Sequence, residues 1–306
     1  HEGADYKGRN HSAIEDNAKK LNLIKCSVCG ANDVYFWFEK NSFDLYKCRK
    51  CELIVTELVP DVSKIYSEDY FSGAKCGFGY VDYDKDKQAM AGTFEFYLDK
   101  IKEFSSENGN LLDVGAATGY FLEIAKKRNW NVMGVEISAF AAEKARTKGL
   151  NVVTGTLENL SVPDGYFSVL TLWDVIEHFS DPNSQLLLAN KMLKKGGLIA
   201  INTPDTGSFV AKILGRHWHL LMPPEHLIIF NQRNLSMLLK SCGFDVLWIG
   251  KVGKKFTIQY ALQVFSNKLK LKPFAQIAKF FKDNALGKIN IPINLRDNFL
   301  IIAKKS

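Results

Sequence analysis

At 306 residues the chain is long enough for one large α/β core plus a small accessory unit. Hydrophobic residues make up 46% and charged residues 24%, a balance that fits a soluble globular enzyme. The net charge of +7 is local: nine lysines and one acid, Asp283, between Lys251 and Lys288 carry +8 and leave −1 for the rest, which argues against nucleic acid as the partner.

No run approaches about 18 uninterrupted apolar residues, and no leader is visible, so the expectation is a cytoplasmic protein without a membrane-spanning helix. Residues 1–20 read as a polar tail. Residues 21–60 read as a zinc ribbon. Cys26-Ser-Val-Cys29 and Cys48-Arg-Lys-Cys51 each place two thiols on a tight turn, with the aromatic β-rich stretches VYFWF and FDLY between them. Four thiolates at this spacing complete a closed tetrahedral zinc site, structural because no coordination position is left for water, and they favour a reducing compartment. Residues 61–107 read as a linker or lid, rich in aromatics and glycine, with a helix from Lys87 to Phe104.

Residues 108–306 read as the core, with a basic insertion at 251–290. Its first unit is an apolar strand, Leu111 to Val114, that carries Asp113. The glycine turn Gly115-Ala-Ala117-Thr-Gly119 follows. A helix then runs from Tyr120 to Arg128, and a second strand, Val132 to Val135, closes on Glu136. Strand, glycine turn, helix, strand, acid is a unit that holds a nucleoside: glycine lets the backbone approach a ligand, and an acid ending the second strand accepts the hydrogen bonds of a ribose diol. A helix from Ser138 to Lys148 and a strand at Val152–Thr154 come next. Phe167–Trp173 is a further strand, apolar enough to be buried on both faces. A helix from Gln185 to Leu193, capped by Lys194-Lys-Gly-Gly197, leads to a strand at Leu198–Asn202. Phe244–Gly250 and Asn298–Ala303 read as the last two strands, joined by the basic insertion. The expected fold is α/β: a doubly wound, Rossmann-like, mostly parallel sheet with a small N-terminal zinc ribbon.

With the four-cysteine ribbon, DVGAATGYF, GVEIS, WDVIEHFSDP and Pro223-Pro-Glu-His-Leu227 in view, the chain resembles a class I S-adenosylmethionine (SAM) methyltransferase with an N-terminal zinc ribbon. The pattern is most similar to members acting on sugars and other small molecules in surface-glycan pathways, and it covers most of Lys25 to Asp245. Motif I of that class reads D-x-G-x-G-x-G; Ala117 stands at the middle glycine. The resemblance implies that Asp113, Gly115, Ala117 and Gly119 hold the methionine part of SAM and that Glu136 holds the ribose. Thr156 and Leu157 then lie at the adenine, where members usually carry an Asp, and Asp174 lies where the methyl group is presented.

A hydroxyl acceptor needs a base, and two histidines are placed for it. His178 follows the fourth core strand at the carboxyl edge, where open α/β sheets bind ligands. His226, beside Glu225, resembles the Glu-His pair of sugar C-methyltransferases with the same ribbon; Pro223 stands where those carry a tyrosine. Glu177-His178 also resembles the pair that ubiquinone-pathway O-methyltransferases use with a divalent ion. The expected activity is methyl transfer to a sugar or other small-molecule hydroxyl, nucleotide- or lipid-linked acceptors included. The alternatives are an rRNA base methyltransferase and a SAM-binding module without turnover. Alternating lysines and apolar residues in the insertion also allow peripheral membrane contact through 251–290.

Overall fold

The computed structural model describes residues 25–56, 90–105, 107–252, 256–257, 290–291 and 295–306. The polar tail, the lid segment ahead of residue 90 and nearly all of the basic insertion, with its membrane reading, lie outside these residues.

Three strands form the ribbon: β1 (Val34–Lys40), β2 (Phe43–Cys48) and β3 (Ile54–Thr56). Helix α1 (Ala91–Phe104) precedes the core. The core then runs β4 (Asn110–Val114), α2 (Tyr120–Lys127), β5 (Asn131–Glu136), α3 (Ala139–Thr147), β6 (Val152–Thr154) and β7 (Phe167–Trp173). It continues through α4 (Pro182–Met192), β8 (Leu193–Pro204), α5 (Phe209–Leu214), β9 (Ile228–Ile229), α6 (Gln232–Ser241) and β10 (Phe244–Val252). The two-residue strands β11 (Phe256–Thr257) and β12 (Asn290–Ile291) pair with each other, and β13 (Asn298–Lys305) ends the chain.

The core is a seven-stranded sheet in the order β10-β13-β8-β7-β4-β5-β6. Every described pairing is parallel except the two made by β13. The expected doubly wound, mostly parallel sheet is therefore present. Strand order reverses between β4 and β7, so a crevice opens beyond their carboxyl ends. Alternation along the strands gives each face its own core. Leu111, Val169, Ala200 and Leu300 face α1, α2 and α3, whereas Leu112, Leu170, Ile201 and Phe299 face α4 and α6.

Strands β8, β10 and β13 run longer than the sequence reading, and both ends of α4 differ from it. Helix α4 starts at Pro182 rather than Gln185, because Asp181 caps it by accepting from the Ser184 N–H at 3.2 Å and Pro182 occupies the first turn. It ends at Met192, and β8 takes up the chain from Leu193, so Lys194–Gly197 lies in a strand and not in a helix cap. The ribbon sheet takes its fourth strand from the core: β3 pairs antiparallel with β9 in the register Ile54↔Ile229 and Val55↔Ile228.

Candidate active site

The turn after β4 uses three left-handed residues, Gly115 (φ 73°), Ala117 (φ 48°) and Gly119 (φ 82°). A Cβ at Gly115 would sit 2.6 Å from Val175, and one at Gly119 would sit 2.3 Å from Leu150, so both positions need glycine for space as well as for backbone freedom. Glu136, at the end of β5, braces the turn. Its Oε2 accepts from the Ala117 N–H and its Oε1 from the Ser138 N–H, both at 2.8 Å. Each oxygen keeps a second lone pair. Burial raises the Glu136 carboxyl above its ordinary value, against the pull of the N–H donors of Ser138, Ala117 and Ile137.

Asp113 is buried and accepts from the Thr171 hydroxyl at 2.7 Å. It lines a hollow beside the turn with Phe94, Gly115, Tyr120, Phe121 and Trp173. Tyr97, from α1, stacks on Trp173 at 4.5 Å. The Tyr97 hydroxyl and the Trp173 indole N–H are buried and have no hydrogen-bond partner among the described residues. At the far side of β5, Thr156 opens a 3-10 turn. Its hydroxyl donates to Glu158 at 2.5 Å, which holds the Glu158 carboxyl below its ordinary value, and Leu157 is buried behind it.

Asp174 follows β7 with φ 57° and is tied to β8: its N–H donates to the Asn202 carbonyl at 2.9 Å, and its Oδ1 accepts from Asn202 Nδ2 at 2.6 Å. The 3-10 turn Ile176–His178 comes next. Here the two candidate histidines meet, with ring centroids 5.0 Å apart at 70°. His178 Nδ1 lies 2.6 Å from the Glu225 carbonyl, and His226 Nδ1 lies 2.7 Å from the Leu220 carbonyl. A carbonyl only accepts, so each Nδ1 facing it carries a proton. Burial lowers the His178 pKa, opposed by the Glu225 carbonyl and by Asp174. Glu177 is fully buried, and its Oε2 accepts from the Thr203 hydroxyl at 2.9 Å. One donor atom from each of Glu177, His178 and His226 falls within 4.8 Å of the others, a convergence that the adjacency of Glu177 and His178 alone does not suggest. Glu225 is half-buried.

The four cysteines converge in the ribbon with all sulfurs within 4.8 Å of one another; Cys26 and Cys51 stand 3.5 Å apart, and Cys29 and Cys48 stand 3.6 Å apart. A tetrahedral ion with metal–sulfur bonds of about 2.3 Å spaces its ligands by about 3.8 Å, so the donor set fits one. The hydrogen bond from the Cys51 thiol lowers Cys26 to about 5, so the cluster readily carries a thiolate.

A family model described as a methyltransferase domain matches residues 89–248, just over half of the chain. The chain belongs to that methyltransferase family. An uncharacterized protein of Methanocaldococcus jannaschii is 33% identical over 105 residues, 34% of this chain and 49% of the relative. A ubiquinone biosynthesis O-methyltransferase of Methylococcus capsulatus is 27% identical over 155 residues, 46% of this chain and 65% of the relative. The chain thus spans less than two thirds of either relative. A solved SAM-dependent methyltransferase of Thermotoga maritima aligns with a TM-score of 0.49 and 22% identity, over 73% of this chain and 95% of that one.

Within this methyltransferase domain the sequence reading passed over Phe94, Tyr97 and Trp173. The aromatic run Phe94-Glu-Phe96-Tyr97 inside a helical pattern was their signal, and Trp173 ends a strand that points at the crevice. Leu220 and Thr203, which orient His226 and Glu177, carry no motif of their own.

Proposed function

We propose that this chain transfers a methyl group from SAM to a hydroxyl of a small molecule, with His226 as the base and zinc as the structural ion of the ribbon. The observation that carries the reading is the meeting of a glycine turn braced by a buried carboxylate and a pair of imidazoles in contact at one carboxyl edge of one sheet. SAM supplies an electrophilic methyl group on a cationic sulfur. Asp113 and the backbone of Gly115–Gly119 suit its methionine part, and Glu136 suits the ribose. The unpartnered donors of Tyr97 and Trp173 fit it as well, because buried donors are normally satisfied and a carboxylate-bearing ligand satisfies them. Thr156 and Leu157 stand for the adenine end, and Asp174 for the place where the methyl group meets the acceptor.

His226 takes the acceptor's hydroxyl proton on Nε2 while the Leu220 carbonyl holds its Nδ1–H. His178 is assigned to holding that segment through the Glu225 carbonyl, because the Asp174 and Glu225 backbones both act on its ring. In the ribbon, zinc on Cys26, Cys29, Cys48 and Cys51 supplies folding free energy to a unit too small to fold on its own core.

The glycan resemblance favours a sugar hydroxyl. A quinol hydroxyl is the second acceptor class, favoured by the ubiquinone biosynthesis role of the Methylococcus relative and by the exposed Phe209 and Ile213 on α5, just past the carboxyl end of β8. Incubation with SAM and panels of nucleotide sugars, glycan fragments and quinols, read as a one-methyl mass gain, tests the proposal. A gain on either panel supports it and names the class. Tight SAM binding with no gain on any hydroxyl leaves a binding module and overturns it.

A further inference from the structure

Among the described residues, the hydrogen bonds from the ribbon to the core gather on residues 216–234, around His226. The Thr56 hydroxyl donates to the His226 carbonyl at 3.1 Å, and the Thr56 N–H donates to the Leu227 carbonyl at 2.8 Å. The next two core residues, Ile228 and Ile229, are the strand that completes the ribbon sheet. The carbonyl of Cys51, one of the four clustered cysteines, accepts from Asn234 Nδ2 at 3.2 Å and from Asn231 Nδ2 at 3.4 Å. Those two asparagines also cap α6 reciprocally, so the helix after the His226 segment starts against the cysteine turn. Further upstream, Asn41 in the β1–β2 turn donates to the Pro223 carbonyl at 3.0 Å, and Lys40 donates to the Trp218 carbonyl at 3.0 Å. Trp218 itself is buried against Leu45, Ile54 and Ile229.

The chain from Trp218 to Asn234 is thus held by the ribbon before, at and after His226. The cofactor cradle is held differently: Glu136, Ala117 and Ser138 brace one another inside one βαβ unit. We infer that Thr56, Asn231 and Asn234 are positioning residues, through which the closed cysteine cluster sets the place of the His226 imidazole without setting cofactor affinity. The inference rests on the assignment of His226 as the base, and it makes the ribbon part of the acceptor site rather than an appended stabilising unit. A Thr56→Val change removes one hydroxyl and keeps the shape and the strand pairing. Loss of the ion loosens the Cys51 turn and with it the cap of α6.

The test uses the full chain labelled with ¹³C-histidine, with the His226 signal assigned by its loss in H226Q. Affinity for S-adenosylhomocysteine is measured by calorimetry on the same samples. Thr56→Val is expected to shift or broaden the His226 signal and to change that affinity by less than about twofold; Thr56→Ser, which keeps the hydroxyl, is expected to restore the signal. Removal of the ribbon ion with a chelator under reducing conditions is expected to move the same signal further. With any acceptor that turns over, Thr56→Val should lower kcat about 3- to 10-fold at an unchanged KM for SAM. A His226 signal that stays put in both Thr56→Val and chelated protein overturns the inference, as does an equal loss of cofactor affinity. A signal that moves while H226Q turns over normally supports the coupling and removes His226 as the base, so the two readings fail separately.

Discussion

The two halves of the site are built over different distances along the chain. On the cofactor side, Glu136 reaches back 19 residues to the Ala117 N–H and two residues forward to Ser138, and everything between is one βαβ unit. On the acceptor side, His178 finds the Glu225 carbonyl 47 residues away, Thr56 finds His226 170 residues away and Asn234 finds Cys51 183 residues away. The first half closes as a local unit with a short loop to order. The second exists only after the ribbon and the core have docked. Damage to one half should therefore leave the other largely intact.

The largest effect expected is on the acceptor side. H226Q removes the proposed base and should lower turnover by about 10²- to 10⁴-fold, with SAM affinity kept within about twofold. H178Q should cost less, because that ring is assigned to holding the segment and not to taking the proton. Single-turnover rates with calorimetry on both variants settle the order. If H178Q loses more than H226Q, the two roles are exchanged.

The matching break on the cofactor side is E136A. It removes the acceptor assigned to the ribose and the brace on Ala117 and Ser138, so SAM affinity should fall by about 10- to 100-fold, the cost of leaving buried donors unpaired. The histidine signals should stay where they are. Unchanged affinity in the calorimeter would remove the ribose assignment, and displaced histidine signals would show that the halves are not independent.

The difference in distance also decides what the sequence discloses. Val152–Thr154 and Phe167–Trp173 begin and end where their apolar runs do, and Asp113, the glycine turn and Glu136 are legible because one supersecondary unit fixes their spacing. Helix α6 was open to reading as well: Asn231 and Asn234 form its capping box, and Leu235, Leu238 and Leu239 recur at three and four residues. Strand β9 was not. Two residues, Ile228 and Ile229, carry no period, and their partner lies in the ribbon. Leu220 was beyond reach for another reason: it orients His226 with a backbone carbonyl, which every residue has.

The smallest expected effect is on stability, and its sign differs between the halves. Burial holds the His178 imidazole below its ordinary value of 6.5. Below 6.5 the unfolded chain takes up this proton before the folded one does, so the folded state loses stability as pH falls through the window from 6.5 down to the lowered value; above 6.5 the group contributes no slope. Glu136 works in the opposite direction. Burial raises its carboxyl above the ordinary value of 4.5, so between 4.5 and the raised value the folded state binds the extra proton and gains stability as pH falls. Thermal unfolding of wild type, H178Q and E136Q across this range separates the contributions. H178Q should soften the acid-side loss of Tm, and E136Q should steepen it. SAM affinity should follow only the second group, weakening as Glu136 takes its proton, because a carboxylate and not a carboxylic acid accepts both bonds of the ribose diol. An affinity that tracks the histidine instead would mean that the acceptor half reaches into the cofactor cradle, and the division between the two halves would fail.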